Sequence, residues 1–391
     1  MNLTILHPEI QQFISDNLKS DITKLVLKGS PFQGVSIQEL ANQIVAKQKA
    51  STKLPTWFSG ENIYYPEKIS VEQTSSEITA KYKSKLVSGD VIIDITGGFG
   101  VDSYYFSKHF NKVIHIEINE VLSTIVKHNY RQLKQENVTT FAQNGIDFLK
   151  NTEQFFDCIY VDPSRRNNLK TKVFLLKDCL PNITENLDFL FSKTTLILLK
   201  GSPILDISSA ISDLKFVKEV HIVAIQNDVK EVLFLLEKDT KEPLLIKTIH
   251  FLKKGVEKFN FIPQKKAIST YSEPLTYLYE PNAAILKSGG FHQISSLLNV
   301  FKLHQHSHLY TSDSLIDFPG RVFKIKNSIS YDKRKISTLI PGKKANITNR
   351  NFPKTVAQIR KETKLKDGGN IFVFFSTDMH KKLIVLICLK I

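Results

Sequence analysis

From residue 91 onward, short apolar runs alternate with stretches in which apolar positions recur every three or four residues. The runs at 91–94, 112–117, 138–142, 156–161, 195–199 and 219–225 read as strands, and 101–109, 120–135 and 172–180 as helices between them. That alternation predicts an α/β fold with a mostly parallel, doubly wound sheet. After 219–225, the turn Gln226-Asn227-Asp228 leads directly into Glu231-Val232-Leu233-Phe234-Leu235-Leu236. A connection that short joins only antiparallel neighbours, so the sheet is expected to close with one antiparallel strand and to be complete by Leu236.

Residues 1–60 read as an N-terminal helical segment. Ser36 followed by Glu39 is a capping-box start, and Leu40, Ala41, Ile44 and Val45 keep a helical spacing behind it. Trp57, the single tryptophan, is expected to anchor packing between segments. Ser70-Val71-Glu72-Gln73-Thr74-Ser75-Ser76-Glu77 opens another helix that runs through Ala80 and Tyr82 into Lys85. The main domain is placed at 61–240. Beyond it, 241–320 reads as a linker with a small unit, and 321–391 as a compact α/β module with strands at 322–325, 371–376 and 383–388 and a helix near 354–365.

Composition adds two points. With 391 residues and 42% hydrophobic content the chain has ample material for several domains, no apolar run approaches a membrane span, and Met1-Asn2-Leu3-Thr4 shows no export signal. Cys158, Cys179 and Cys388 are too scattered for a disulfide frame or a zinc site, so a reducing, cytoplasmic setting is expected. The net charge of +15 is very unevenly spread: 1–240 holds 27 Lys and Arg against 28 Asp and Glu, whereas 241–391 holds 26 against 10, and 321–391 alone 17 against 4. That asymmetry predicts a polyanion-binding module, RNA being the expected partner, attached to a nearly neutral one. Lys333, Arg334, Lys343, Lys344 and Arg350 are its candidate phosphate contacts. A merely solvated basic surface is the alternative.

The candidate chemistry lies where the strands end. Asp94 closes the first strand before Thr96, Gly98 and Gly100, and Glu117 closes the second, 23 residues on. A glycine turn followed by an acid at about that distance fits a nucleoside cofactor. The dinucleotide pattern G-x-G-x-x-G is matched only as far as Gly98-x-Gly100-x-x-Ser103, and Asp94 would repel a pyrophosphate but suits a cationic ligand. In these residues the chain resembles the class I S-adenosylmethionine-dependent methyltransferases, with Thr96 standing where the first of three alternating glycines is usual. With Glu72-Gln73-Thr74-Ser75-Ser76 and Asp162-Pro163-Ser164-Arg165-Arg166, it resembles in particular bacterial methyltransferases that append a ferredoxin-like and a THUMP-like domain.

The resemblance implies a Rossmann-like sheet with an antiparallel final strand, S-adenosyl-L-methionine as cofactor, and RNA-binding kinship for the C-terminal module. It assigns Glu117 to the ribose hydroxyls, Asn144 to the adenine amino group, and Gln73, Thr74 and Ser75 to the methionine end, plain helix capping being the alternative for these three. Asp162 and Pro163 stand where amine-methylating relatives orient the acceptor, with Arg165 in place of their stacking aromatic. Cys179, which could serve as a nucleophile after an acid-proline-x-arginine motif, reads as core. Lys200-Gly201-Ser202-Pro203 reads equally as a phosphate contact or a strand-end turn, and Asp147 as an ordinary early-helix acid. His304, His306 and His308 would share a face on a strand, but lack an acid or cysteine to complete a metal site. The expected function is RNA methylation (tRNA or rRNA). The alternatives are a non-catalytic RNA-binding factor on the same scaffold and a protein or small-molecule methyltransferase.

Overall fold

The computed structural model describes residues 1–165, 175–263 and 267–391, with Arg165 described in its backbone only. The chain forms two compact units, Met1–Val217 with Leu233–Thr240, and Lys218–Val232 with Lys241–Ile391. A nine-stranded sheet comprises β1 (Val91–Asp94), β2 (Lys112–Glu117), β3 (Val138–Ala142), β4 (Cys158–Val161), β5 (Leu196–Gly201), β6 (Val217–Ile225), β7 (Asp228–Glu237), β8 (Leu245–Phe251) and β9 (Val256–Phe261). Its order is β9-β8-β6-β7-β5-β4-β1-β2-β3. Strands β1 to β5 are parallel neighbours. The β6–β7 turn has Gln226 and Asn227 at φ +49° and +65°, the paired left-handed geometry of a tight antiparallel hairpin.

Two expectations for this sheet and its crossovers need correction. The sheet is not complete by Leu236: the stretch read as the start of a linker supplies β8, parallel to β6, and β9, antiparallel to β8. The stretch expected to be a helix over 172–180 instead carries, in its described part, a 3-10 turn at Leu176–Asp178 and a two-residue strand, Cys179–Leu180, paired with Ser164–Arg165. The crossover helix that the expectation omitted is Ile183–Leu190, capped by Asn182.

In the first unit, the N-terminal helices pack on the helices that follow β1 and β2. Leu40, Ile44, Trp57 and Tyr65 share a core with Val101, Tyr105, Ile125 and Tyr130. Trp57 is fully buried against Tyr104 and Phe99, as a packing anchor should be. Two buried amides fix the strand-like passage at Tyr64-Tyr65: Asn129 exchanges hydrogen bonds with the Tyr64 backbone and Gln43 with that of Tyr65. That passage leads to helix Lys68–Gln73 and then to helix Glu77–Lys83, capped by Ser76.

The second unit carries a seven-stranded sheet of β10 (Tyr277–Pro281), β11 (Phe301–Lys302), β12 (Tyr310–Ser312), β13 (Gly320–Ser330), β14 (Asn346–Arg350), β15 (Ile371–Thr377) and β16 (Leu383–Lys390), ordered β11-β12-β10-β13-β16-β15-β14. The period-two pattern sorts its apolar residues onto two faces. Val373, Phe375, Val385 and Ile387 join Ile336 and Ile359 of the helices Lys333–Leu339 and Val356–Thr363, whereas Phe374, Ile384, Leu386 and Cys388 join Leu278 and Phe323. His304, His306 and His308 lie in a turn, not a strand. His308 stacks on Phe291 with ring centroids 3.6 Å apart, and the rings of His304 and His306 lie 5.6 Å apart.

Candidate active site

Every parallel strand of the first unit ends at the same edge, so residues just past strand ends become neighbours. Asp94 is buried at the end of β1, accepts from the Thr96 N–H (3.0 Å) and the Ser103 hydroxyl (2.6 Å), and lies in register with His115 on β2 and Tyr160 on β4. Burial, helped by the like charges of Asp102 and Asp162, pushes its carboxyl up to about 7 against those hydrogen bonds.

The glycine loop is tight on its inner side and open on its outer one. A Cβ added to Gly97 would lie 2.2 Å from His115 Nε2, and one added to Gly100 would lie 2.3 Å from the Tyr130 hydroxyl, which donates to the Gly100 carbonyl. His115 is fully buried, and desolvation lowers its pKa to about 4, so a neutral imidazole backs the loop. At Gly98, with φ +55°, a Cβ would meet nothing nearer than the Thr96 carbonyl oxygen at 3.9 Å. This is backbone left bare toward open space, as close approach by a ligand requires.

Glu117 is locked in place. One carboxylate oxygen accepts from the Gly98 N–H (2.8 Å) and the other from the Asn119 N–H (2.7 Å), which leaves further lone pairs on both oxygens. Thr96 has a use that a glycine could not serve: its hydroxyl accepts from the Asp162 backbone N–H at 2.6 Å and so ties the glycine loop to the loop after β4. Asn144 caps the helix Gly145–Lys150, its Oδ1 accepting from the Ile146 and Asp147 N–H groups, so the carbonyl assigned to adenine is already engaged locally. Asp147 is an exposed first-turn acid paired with Lys150 at 3.5 Å.

Of the 73–75 segment, Gln73 is exposed and ends its helix, Thr74 caps it, and Ser75 turns inward. Ser75 donates to Asp102 (2.8 Å) and accepts from the fully buried Lys83 (2.7 Å), whose ammonium also pairs with Asp102 at 3.0 Å. Tyr160 donates to the same carboxylate. Burial opposes the charge on Asp102, yet Lys83, then Lys200, and the bonds from Tyr160 and Ser75 hold its pKa below the ordinary carboxylate value.

Asp162, one residue past β4, pairs with Lys200 on β5. Pro163 is buried, the side chain of Arg165 and all of Arg166 lie outside the described residues, and Cys179 is a buried core thiol bonded to the Leu175 carbonyl. Two apolar neighbours escaped the sequence reading: Ile118, directly after Glu117 and 70% exposed, and Phe141 near the end of β3, 38% exposed. A large aliphatic on a solvated turn beside a strand-end acid was the available signal.

The basic candidates of the second unit divide in two. Arg334, Lys343 and Lys344 are exposed, and Lys333 is exposed while pairing with Glu362 at 3.1 Å. Arg350 is instead held internally by Glu280, which is 3% exposed and also grips Arg321. Arg350 therefore serves the sheet and is withdrawn from the candidate phosphate contacts.

Comparison with known proteins bears on this arrangement. Residues 277–319 match a family described as a ferredoxin-like domain, and 320–390 one described as THUMP domain-like. A solved chain from Porphyromonas gingivalis W83, provisionally assigned as a methyltransferase, superposes with a TM-score of 0.89 at 29% identity, covering 99% of this chain and 98% of that one. This chain has that methyltransferase's fold from end to end. TrmK of M. capricolum with S-adenosylhomocysteine (14% identity, 41% and 68% covered, TM-score 0.31) and the M. jannaschii tRNA m1G37 methyltransferase (16%, 43% and 51%, 0.30) overlap it too slightly to add to this. No curated protein matches the sequence. In this methyltransferase fold, β7 enters between β5 and β6, and the antiparallel hairpin read from 219–236 is its sequence trace.

Proposed function

We propose that the chain transfers a methyl group from S-adenosylmethionine to a nucleotide of RNA, tRNA or rRNA, with the THUMP-like domain holding the substrate. The observation that carries the cofactor is the Gly98–Glu117 contact: bare backbone facing open space, a carboxylate fixed beside it with lone pairs to spare, and exposed Ile118 next in the chain. Bound there, the cofactor would be held by Glu117 at its ribose, by Ile118 and Phe141 at its base, and by the 73–75 segment and Asp94 at its cationic end, and would supply an electrophilic methyl group. Asp162, tied to the loop through Thr96, would orient the acceptor, so that catalysis rests on proximity and electrostatics.

The RNA part rests on the second unit. The four acids of 321–391 are all used locally: Asp332 caps a helix, Glu362 pairs with Lys333 and Lys354, Asp367 with Arg360, and Asp378 closes a turn. Arg334, Lys343, Lys344, Lys366, Lys381 and Lys382 are exposed. The test is nucleoside mass spectrometry of total RNA from cells with and without the protein, joined to calorimetry with S-adenosylmethionine and with NAD. A methylated nucleoside that vanishes with the protein, and heat from S-adenosylmethionine alone, is the expected result. An unchanged nucleoside profile removes the RNA substrate, and NAD binding removes the cofactor.

A further inference from the structure

Lys200 stands out at this edge. The register that sets Tyr160 opposite Leu198 and Val161 opposite Leu199 carries Asp162 alongside Lys200, and the ammonium pairs with Asp162 Oδ2. The lysine side chain is only 12% exposed against 35% for the aspartate, so its head is covered where a surface grip on phosphate would leave it open. Among the described residues, Asp162 on the loop after β4 pairs with it, and its charge also acts on Asp102, the partner of Lys83. A partly desolvated ion pair contributes little to stability, which leaves a chemical role to be sought.

We propose that Lys200 is the proton acceptor of the methyl transfer and that the acceptor group is a ribose 2′-hydroxyl of RNA. This rests on the methyl-transfer reading above and goes beyond it in naming the atom. A nucleobase amine attacks with its own lone pair and loses its proton afterwards. An alcohol must give up its proton as it attacks, and lysine in a desolvated site is the side chain that readily serves as such a base.

In the resting pair Lys200 is an ammonium. A sulfonium placed beside it opposes that charge, so the loaded site gives one proton to solvent. Lys200 Nζ then takes the hydroxyl proton as the acceptor oxygen bonds to the methyl carbon and the carbon–sulfur electron pair stays on sulfur. One positive charge has passed from sulfur to nitrogen, and the edge keeps its balance.

Two measurements test this. In calorimetry of the full chain in buffers of different ionisation enthalpy, S-adenosylmethionine should displace more protons from the native protein than from Lys200→Arg, whose guanidinium keeps the Asp162 pair but stays charged. S-adenosylhomocysteine should show no such difference, and equal proton release from the two proteins with S-adenosylmethionine overturns the base role. In the second measurement, RNA from cells lacking the protein is incubated with methyl-tritiated cofactor and hydrolysed in alkali. Label in alkali-resistant dinucleotides is expected, with at least a hundredfold lower kcat for Lys200→Arg at saturating cofactor, and recovery of Lys200→Ala by added ethylamine. Label in mononucleotides overturns the hydroxyl while leaving RNA methylation standing, full activity of Lys200→Arg reduces the pair to a structural contact, and unlabelled RNA removes both readings.

Discussion

Asp94→Asn separates the energetic cost of the first strand-end acid from its use. In the free protein the Asp94 carboxyl titrates near 7, about three units above its ordinary 3.8, because burial and the charges of Asp102 and Asp162 oppose ionisation. The raised value fixes the sign. Between about pH 4 and pH 7 the unfolded chain has lost this proton while the folded chain keeps it, so the contribution to stability is full below pH 4 and falls as pH rises to 7. At about 1.4 kcal/mol per unit the loss amounts to the order of 4 kcal/mol, flat above pH 7. Asparagine keeps much of the shape and does not titrate. The stability of Asp94→Asn relative to the native protein should therefore climb by about 2–3 kcal/mol between pH 5 and pH 7 and then level off, read from urea unfolding at each pH without cofactor. A cationic ligand reverses the preference, so native affinity for S-adenosylmethionine should strengthen over the same interval, while the variant binds weakly throughout. Unfolding curves that stay parallel from pH 5 to pH 8 would refute both the perturbed carboxyl and the argument that the site is built for a positive charge.

Glu117→Ala should weaken S-adenosylmethionine binding by about 1.5–3 kcal/mol, roughly tenfold to more than a hundredfold in Kd by calorimetry, and an unchanged Kd would clear Glu117 of the ribose. Gly98→Ala should fold with a cost of about 1 kcal/mol for its left-handed φ, yet lose cofactor affinity, because its Cβ points into the space left for the ligand. Gly100→Ala should lower Tm sharply, since its Cβ would meet the Tyr130 hydroxyl at 2.3 Å, and equal behaviour of the two variants would contradict the loop geometry. Replacing Arg334, Lys343 and Lys344 by glutamate should weaken RNA binding and flatten its dependence on salt, whereas Arg350→Ala should leave the salt slope alone and cost about 1–3 kcal/mol of stability by robbing buried Glu280 of a partner.

What the sequence revealed and what it hid differ in range. Asp94, the glycine loop and Glu117 were legible because a strand, its terminal acid and its turn are written in consecutive residues, and sheet order brings their ends together whatever the rest of the chain does. The β6–β7 hairpin was legible for the same reason. The β8–β9 hairpin was missed although 245–261 carries its own signal, apolar and β-branched runs on either side of Lys253-Lys254-Gly255, because the sheet was taken as complete at the hairpin ending with Leu236. The error at 172–180 came from an apolar run too short to decide between helix and strand, where pairing with Ser164–Arg165 decided for the strand.

The partners that matter most were set by distance. Lys200 meets Asp162 across 38 residues, Thr96 meets the Asp162 backbone across 66, and Arg350 meets Glu280 across 70. In the first of these the pairing follows from counting alone: one residue past the register pair Val161 and Leu199, an acid and a base stand side by side at the carboxyl edge. Thr96 follows a different logic. Its departure from the glycine pattern looked like a weakened cofactor loop, but a hydroxyl at that place accepts the Asp162 N–H, and a glycine would leave that donor without this bond. The substitution thus ties the cofactor loop to the loop bearing Asp162, whose carboxylate is itself paired with Lys200. Thr96→Gly should consequently disturb the acceptor side more than the cofactor side, lowering kcat further than it raises the KM for S-adenosylmethionine. A rise in KM alone would return Thr96 to the role of a loop residue.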